Sequence, residues 1–282
     1  VHQVSQQLPI FTLSEILGIP EEDRQKLVSW MEFLELAQYF TYEMIKEQNE
    51  GKTDSTPDPA MIDMFNAMVD EMFDYGRFIL KSKRQNPSED LLSAIANAKI
   101  GDEKLTDEFL DGSWLLIIFA GNDTTRNTMS GGIKLLHENQ SQKDLLMNNL
   151  DLLPNFINET VRCVSPVIHM RRTSLEEAEI NGQKIGPYEK ISLWYGAANR
   201  DPDIFEDPDE FNILRENADK HLAFGIGRHT CLGKPVALMQ LKEFYSQFLT
   251  RFKDFEMNGD WKVAPNNFVH AIQEMPIKFT PE

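Results

Sequence analysis

One decapeptide concentrates residue types that can do chemistry. Phe224-Gly225-Ile226-Gly227-Arg228-His229-Thr230-Cys231-Leu232-Gly233 sets a single cysteine among glycines, immediately before a segment with helical periodicity, Pro235 to Phe252. Glycines let a backbone pass close to a flat ligand with no Cβ in the way. A helix N-terminus favours the thiolate and lowers the cysteine pKa. Such a sulfur serves as a nucleophile or as a metal ligand. Nucleophilic use would need His229 as base, yet two residues away on a turn its ring need not face the sulfur, and no orienting acid is near in sequence. A glycine-rich turn with a merely structural cysteine is the third reading. Only Cys163 and Cys231 occur, too few for a disulfide framework and in keeping with a reducing compartment.

The elements that must position this loop are mostly helical. Apolar residues recur at three- and four-residue spacing over Leu13 to Leu17 and, after Pro20-Glu21-Glu22, from Trp30 to Glu47. Gly51 to Pro59 is a polar, proline-containing loop. An amphipathic helix over Met61 to Lys83 lines up Met61, Met64, Phe65, Met68 and Met72, with Phe73 beside them. This stripe is read as core rather than as a wall facing a ligand, because Met commonly fills irregular interiors. Thr106-Asp107-Glu108 is a helix start, and its helix is expected to run to about His137. After Pro166 short alternating runs, Glu179 to Ile185 and Lys190 to Tyr195, predict an antiparallel hairpin through Gly186-Pro187. A loop-rich stretch, Asn199 to Lys220, leads into the decapeptide. The expected class is mainly α with a small antiparallel β component, without internal repeats.

Composition narrows the partners. The chain has 282 residues, 41% apolar, enough for a large core. Its longest apolar run, Trp114 to Ala120, falls far short of the roughly 20 residues that span a bilayer. With no signal pattern at the N-terminus, the expected location is the cytoplasm without a membrane anchor. A net charge of -17 argues against nucleic acid or an anionic membrane as partner. Against that background, six basic residues (Lys220, Arg228, Lys234, Lys242, Arg251, Lys253) face one acid, Glu243, a local balance of +5.

The decapeptide resembles the haem-binding loop of the cytochrome P-450 superfamily, with every expected position filled. Ala120-Gly121-Asn122-Asp123-Thr124-Thr125 is similar to that family's oxygen-activation motif on its long central helix, and Glu159-Thr160-Val161-Arg162 to its Glu-x-x-Arg motif. Taken alone, Glu159 and Arg162 would be an ordinary i,i+3 helix pair. The three motifs stand in the family order, and the resemblance covers nearly the whole chain as one haem-thiolate domain over 1–282.

The resemblance implies residue roles. Cys231 would be the axial ligand of the iron of haem b, its thiolate pushing electron density toward the metal. Phe224, Gly225, Gly233 and Ala120 would lie against the haem, and His229 and Arg172 would meet its carboxylates. Only one of Arg171 and Arg172 can point that way if the segment is extended. Asp123 and Thr124 would relay protons to bound O2, at a place where the family's helix is distorted. Glu159, Arg162 and Arg215 would form a structural charge network behind the haem. Leu116, Phe119, Ala120, Ile168, His169 and Met170 are the candidate substrate contacts.

Two departures accompany the match. It begins well inside the family pattern, implying an N-terminally truncated fold, and Glu189 stands where members often have glycine. Among bacterial members, His169-Met170-Arg171-Arg172-Thr173 and Trp194 to Asp201 are most similar to terminal alkane and fatty-acid hydroxylases, with steroid side-chain and monoterpene-alcohol hydroxylases close behind. The expected function is a monooxygenase acting on an aliphatic lipid or terpenoid. The alternatives are a haem-thiolate peroxygenase or isomerase, or a non-catalytic binding protein of the same fold. The implied electron donor is a ferredoxin, fed by an NAD(P)H-dependent reductase and docking near Arg228, Lys234 and Lys242.

Overall fold

The computed structural model describes residues 1, 3–51, 59–252, 254–264, 266 and 268–280. Most of the polar loop Gly51 to Pro59, and Lys253 of the basic window, lie outside the described residues. The chain forms two compact units, His2–Asp123 and Thr124–Glu282, the second also including Val1.

The first unit is built from α1 (Gln7–Leu17), α2 (Arg24–Asn49), α3 (Pro59–Gln85), α4 (Leu91–Asn97), a two-residue pairing of β1 (Lys99–Ile100) with β2 (Glu103–Lys104), and α5 (Asp107–Ala120). Trp30, Tyr75 and Trp114 form an aromatic cluster with ring centroids 5.3 to 6.3 Å apart. The Trp114 indole N–H donates to Met72 O at 2.9 Å. Gly76 admits the ring, since a Cβ there would meet it at 2.5 Å. The methionine stripe is core only in part: Met72 is buried, whereas Met64 and Phe65 are exposed. Amphipathic spacing along α3 thus marks an apolar face longer than the stretch that this core covers.

Thr106 caps α5 as expected, its hydroxyl accepting from Phe109 N. The single long helix is not observed. α5 ends at Ala120, and α6 (Asp123–Glu138) starts after Gly121 and Asn122. Gly121 lies against Leu13 of α1, where a Cβ would come within 2.8 Å of the leucine side chain. The break therefore falls within the resemblance's oxygen motif.

The second unit adds α7 (Gln140–Asn148), α8 (Leu153–Val164), β3 (His169–Thr173), β4 (Ala178–Ile180), β5 (Gln183–Ile185), β6 (Lys190–Trp194), α9 (Tyr195–Ala198), α10 (Lys234–Arg251) and β7 (Asp254–Met257) to β10 (Ile277–Thr280). The strand pairing corrects the expected hairpin. β4 pairs with β5 through Asn181-Gly182, both at positive φ, and β6 pairs with β3. An Asn-Gly pair at positive φ suits a two-residue hairpin whose twist matches the strands. The run Glu179 to Ile185 turns back on itself for that reason.

Helix α10 is locked onto α6 by a notch. The Tyr245 hydroxyl lies 2.8 Å from Thr128 O and 3.1 Å from Met129 O, and a Cβ on Gly132 would stand 2.1 Å from it. Phe156 of α8 packs edge-on against Tyr245, with centroids 4.8 Å apart. Gly to Ala inside a helix ordinarily gains up to about 1 kcal/mol. Here Gly132→Ala should instead destabilise by about 3 kcal/mol, because overpacking adds to a displaced buried hydroxyl. Urea unfolding of Gly132→Ala, Tyr245→Phe and the double variant should give less than additive losses. A stabilised Gly132→Ala protein would contradict the notch.

Candidate functional site

The cysteine loop is shaped by its own backbone. Gly225 N donates to Leu222 O at 2.8 Å, Cys231 N to Phe224 O at 2.8 Å, and Lys234 N to Cys231 O at 3.3 Å as α10 begins. Residues Gly227–His229 make one 3₁₀ turn, with Thr230 Oγ1 donating to Gly227 O. Gly225, at φ +69°, is required: a Cβ would stand 3.3 Å from both His229 O and the Tyr195 hydroxyl. A Cβ on Gly233 would be 3.8 Å from Cys231 Sγ. Cys231 is exposed, and so are its apolar neighbours Ile226 (71%) and Leu232 (85%).

Behind the loop lies a buried charge cluster. Arg162 donates from Nε and Nη2 to the two Glu159 oxygens, both at 2.8 Å, and Arg215 Nε donates to Glu159 Oε1 at 3.1 Å. Glu159 and Arg162 are wholly buried. Burial pushes the Glu159 carboxyl up, but hydrogen bonds from Arg162, Asn212 N–H and Arg215 outweigh it and hold the group below its ordinary range. The remaining guanidinium N–H groups donate to backbone carbonyls of Asn199, Pro208 and Glu210 from Arg162, and of Glu206, Asp207 and Glu210 from Arg215. The expected network is therefore assembled, with more partners than the motif names.

The two cysteines differ. Burial, then the Glu159 charge, pushes the Cys163 thiol up to about 11, leaving it protonated and inert at neutral pH. Cys231 is exposed, whereas Cys163 is half-buried.

Thr124 and the cysteine loop meet at one small cavity of about 20 Å³, lined by Thr124, Thr125, Thr128, Val161, Phe224, Ala237 and Leu241 among others. It has room for about one water. Asp123 opens α6, and Asn122 Nδ2 donates to Asp123 Oδ1 at 3.3 Å. In the first unit, Leu116 and Ala120 lie on the exposed face of α5 opposite Leu110, Trp114 and Ile118, with Phe119 half-buried beside them. On β3, Arg172 is half-buried and donates from Nη1 to Arg171 O, while Arg171 is exposed. Ile168, Met170 and Arg172 alternate with His169 and Arg171. The His169 ring sits between Trp194 (4.9 Å) and Phe268 (6.4 Å), its Nδ1 buried without a hydrogen-bond partner among the described residues. His229 is exposed on the 3₁₀ turn.

Four further residues bear on the site without having been site candidates in the sequence: His221, Tyr195, Asn199 and Ser165. His221 Nδ1 accepts from Ala223 N at 3.3 Å, and its ring lies 5.6 Å from Phe224. Tyr195 opens α9 and Asn199 follows it, and the two reach the loop at Gly225 and Leu222. Both lie in the Trp194 to Asp201 segment of the family resemblance, which assigns neither a role, and His221 and Ser165 lie in no such pattern.

These residues suit a flat, iron-centred, largely apolar group. A soft sulfur donor stands exposed, Gly225 keeps the backbone clear of a side chain, and Ile226 and Leu232 offer apolar surface that otherwise faces water.

The family model described as cytochrome P-450 matches residues 33–280. Linalool 8-monooxygenase of Pseudomonas putida is 32% identical over 279 residues, 99% of this chain and 64% of that protein. Steroid C26-monooxygenase of Mycolicibacterium smegmatis is 31% identical over 283 residues, 100% of this chain and 67% of that protein. The crystal structure of CYP109E1 from Bacillus megaterium in complex with testosterone superposes with a TM-score of 0.80 at 30% identity, covering 98% of this chain and 71% of that one. The chain thus spans a little under two thirds of the length of the first of these relatives.

Burial first, then the charge of Lys234, holds the His221 imidazole down at about 4, from 6.5. The folded unit keeps this ring neutral while the unfolded chain protonates it. Its contribution is present above pH 6.5 and is lost as pH falls toward 4, amounting to about 3 kcal/mol. The Glu159 contribution is full above the ordinary carboxylate value and is lost as pH falls from there through its lower folded-state value. His221→Asn, which keeps an acceptor for Ala223 N–H, should flatten the decline in unfolding free energy over that window. An unchanged pH profile would show that His221 titrates alike in the folded and unfolded chain.

Proposed function

The chain belongs to the cytochrome P-450 family, and we propose that it carries the haem-thiolate centre of a monooxygenase inserting one oxygen atom of O2 into a C–H bond of an aliphatic lipid or terpenoid. The carrying observation is the exposed Cys231 thiol on a glycine loop backed by the buried Glu159, Arg162 and Arg215 cluster. Residues 1–282, both units included, serve as one functional domain of a cytoplasmic protein.

When bound, haem b supplies the iron at which dioxygen is activated. Cys231 Sγ, as thiolate, would hold the iron and supply electron density to it. Arg172 and His229 are the donors for the haem carboxylates. The hydroxyl of Thr124, beside the cavity that Phe224 also lines, holds and passes a proton, received from the Asp123 carboxyl in its protonated form, which solvent reprotonates. Leu116, Phe119, Ala120, Ile168 and Met170 supply apolar surface that binds an aliphatic substrate and excludes water. His169 is the polar exception among the substrate contacts. The substrate class is supported by the relatives, whose names specify linalool and a steroid.

Electrons come from an acidic ferredoxin, itself reduced by an NAD(P)H-dependent reductase. Arg228 and Lys242 are exposed, and Lys234 stands over the Phe224 ring with Nζ 5.5 Å from its centroid. These cations flank the cysteine loop in a chain of net charge -17, so an acidic partner is steered to this face.

Cys231→Ser should abolish the thiolate-type Soret band of the reduced carbon monoxide complex, because a hydroxyl is no soft, electron-rich ligand. Cys163→Ser should keep the band. Loss of the band in the Cys163 variant alone would reverse the ligand assignment. Reversing Lys234 and Lys242 to Glu should slow ferredoxin-driven reduction about tenfold or more at low salt and flatten its salt dependence, leaving reduction by dithionite intact. Equal rates for wild type and double variant at low salt would place the partner elsewhere.

A further inference from the structure

The buried charge cluster and the cysteine loop are joined by one side chain. Asn199 is fully buried, and each of its four polar atoms has a partner. Its N–H donates to Tyr195 O, and its backbone oxygen accepts from Arg162 Nη1 at 2.8 Å. Its side-chain Nδ2 donates to Ser165 Oγ at 2.8 Å, and its Oδ1 accepts from Leu222 N at 2.6 Å. Ser165 ends α8 at φ +43°, its hydroxyl donating to Arg162 O. Leu222 opens the loop, with its carbonyl accepting from Gly225 N, and Phe224 O then accepts from Cys231 N. A continuous path thus runs from Glu159 and Arg162 through Asn199 to the backbone beneath Cys231.

We infer that Asn199 is a positioning residue that sets the register of the cysteine loop on the charge cluster, through the bond from Leu222 N–H to its Oδ1. The geometry gives this bond a special place. A guanidinium fastens the Asn199 backbone, so the amide projects from an immobile point. Leu222 N–H, half-buried at the head of an irregular loop, has no helix or strand partner to fall back on. The role rests on the proposed thiolate ligation, because it concerns how firmly Cys231 is held as a ligand.

The test uses the haem-loaded full-length protein and three variants. Asn199→Leu removes both side-chain bonds at similar volume, Asn199→Asp keeps an acceptor for Leu222 N–H, and Ser165→Ala removes only the far end of the path. In Asn199→Leu, amide exchange at Leu222, Gly225 and Cys231 should rise on the order of five- to tenfold, with Val161 and Arg162 in α8 unchanged. The thiol-type share of the reduced carbon monoxide spectrum should rise with it. Asn199→Asp and Ser165→Ala should stay near wild type in both readouts. A lowered melting temperature in Asn199→Leu with unchanged loop exchange and spectrum would overturn the inference. So would an Asn199→Asp protein as impaired as Asn199→Leu. Failure of Asn199→Leu to fold would overturn it as well, by making the residue one of the whole unit's stability. Absence of the thiolate band in wild type would instead overturn the proposed function, while the exchange comparison still decides the role of Asn199.

Discussion

A carboxylate sealed from water must be matched by positive charge and by hydrogen bonds, and Glu159 is matched by two arginines at once. Removing one partner of such a pair costs about 3–5 kcal/mol, because the other charge is left stranded. The constraint reaches well beyond the ion pairs. Segment 199–215 has almost no regular structure, so its backbone groups need partners from elsewhere. They find them on side chains. Arginine donors take the carbonyls of Asn199, Glu206, Asp207, Pro208 and Glu210, and Glu159 itself accepts from Asn212 N. Asn155 donates to Ile213 O and Arg215 O, and Gln142 accepts from Ile213 N. A long irregular stretch is thereby as definite as a helix.

The loop that follows inherits this definition. Its glycine at positive φ clears both its own backbone and Tyr195, and its backbone hydrogen bonds present Cys231 at the surface without a supporting strand. On the other side, the hydroxyl of Tyr245 in the Gly132 notch holds the helix following the cysteine against the helix carrying Thr124. Two kinds of lock therefore act on one site, one electrostatic and one steric. Each depends on a residue with no direct part in the chemistry.

Where spacing was followed literally, local geometry set its limits. The predicted continuous helix from Thr106 breaks at Gly121 and Asn122, because periodicity measures which face is apolar and does not report where the helical hydrogen bonding stops. Alternation alone predicts one strand over Glu179 to Ile185, whereas Asn181-Gly182 at positive φ turns the chain within it. The methionine stripe is apolar throughout yet buried only where the tryptophan cluster reaches it.

The amino-acid sequence by itself determined the class, the glycine-loop cysteine and the Glu159–Arg162 pair. Short motifs with fixed spacing carry those, since a helix turn places Glu159 and Arg162 together and a glycine-rich turn exposes one sulfur. It also determined that Cys231 is preceded by backbone able to adopt positive φ. Tertiary structure alone decided which cysteine is half-buried and inert, which histidine is kept neutral, and that Asn199 links cluster to loop. Those properties arise from desolvation and from contacts between residues 23 to 56 positions apart in the chain, as with Asn199 and Leu222 or Glu159 and Arg215. No local pattern encodes them, because the energy of a buried polar group depends on what surrounds it in space.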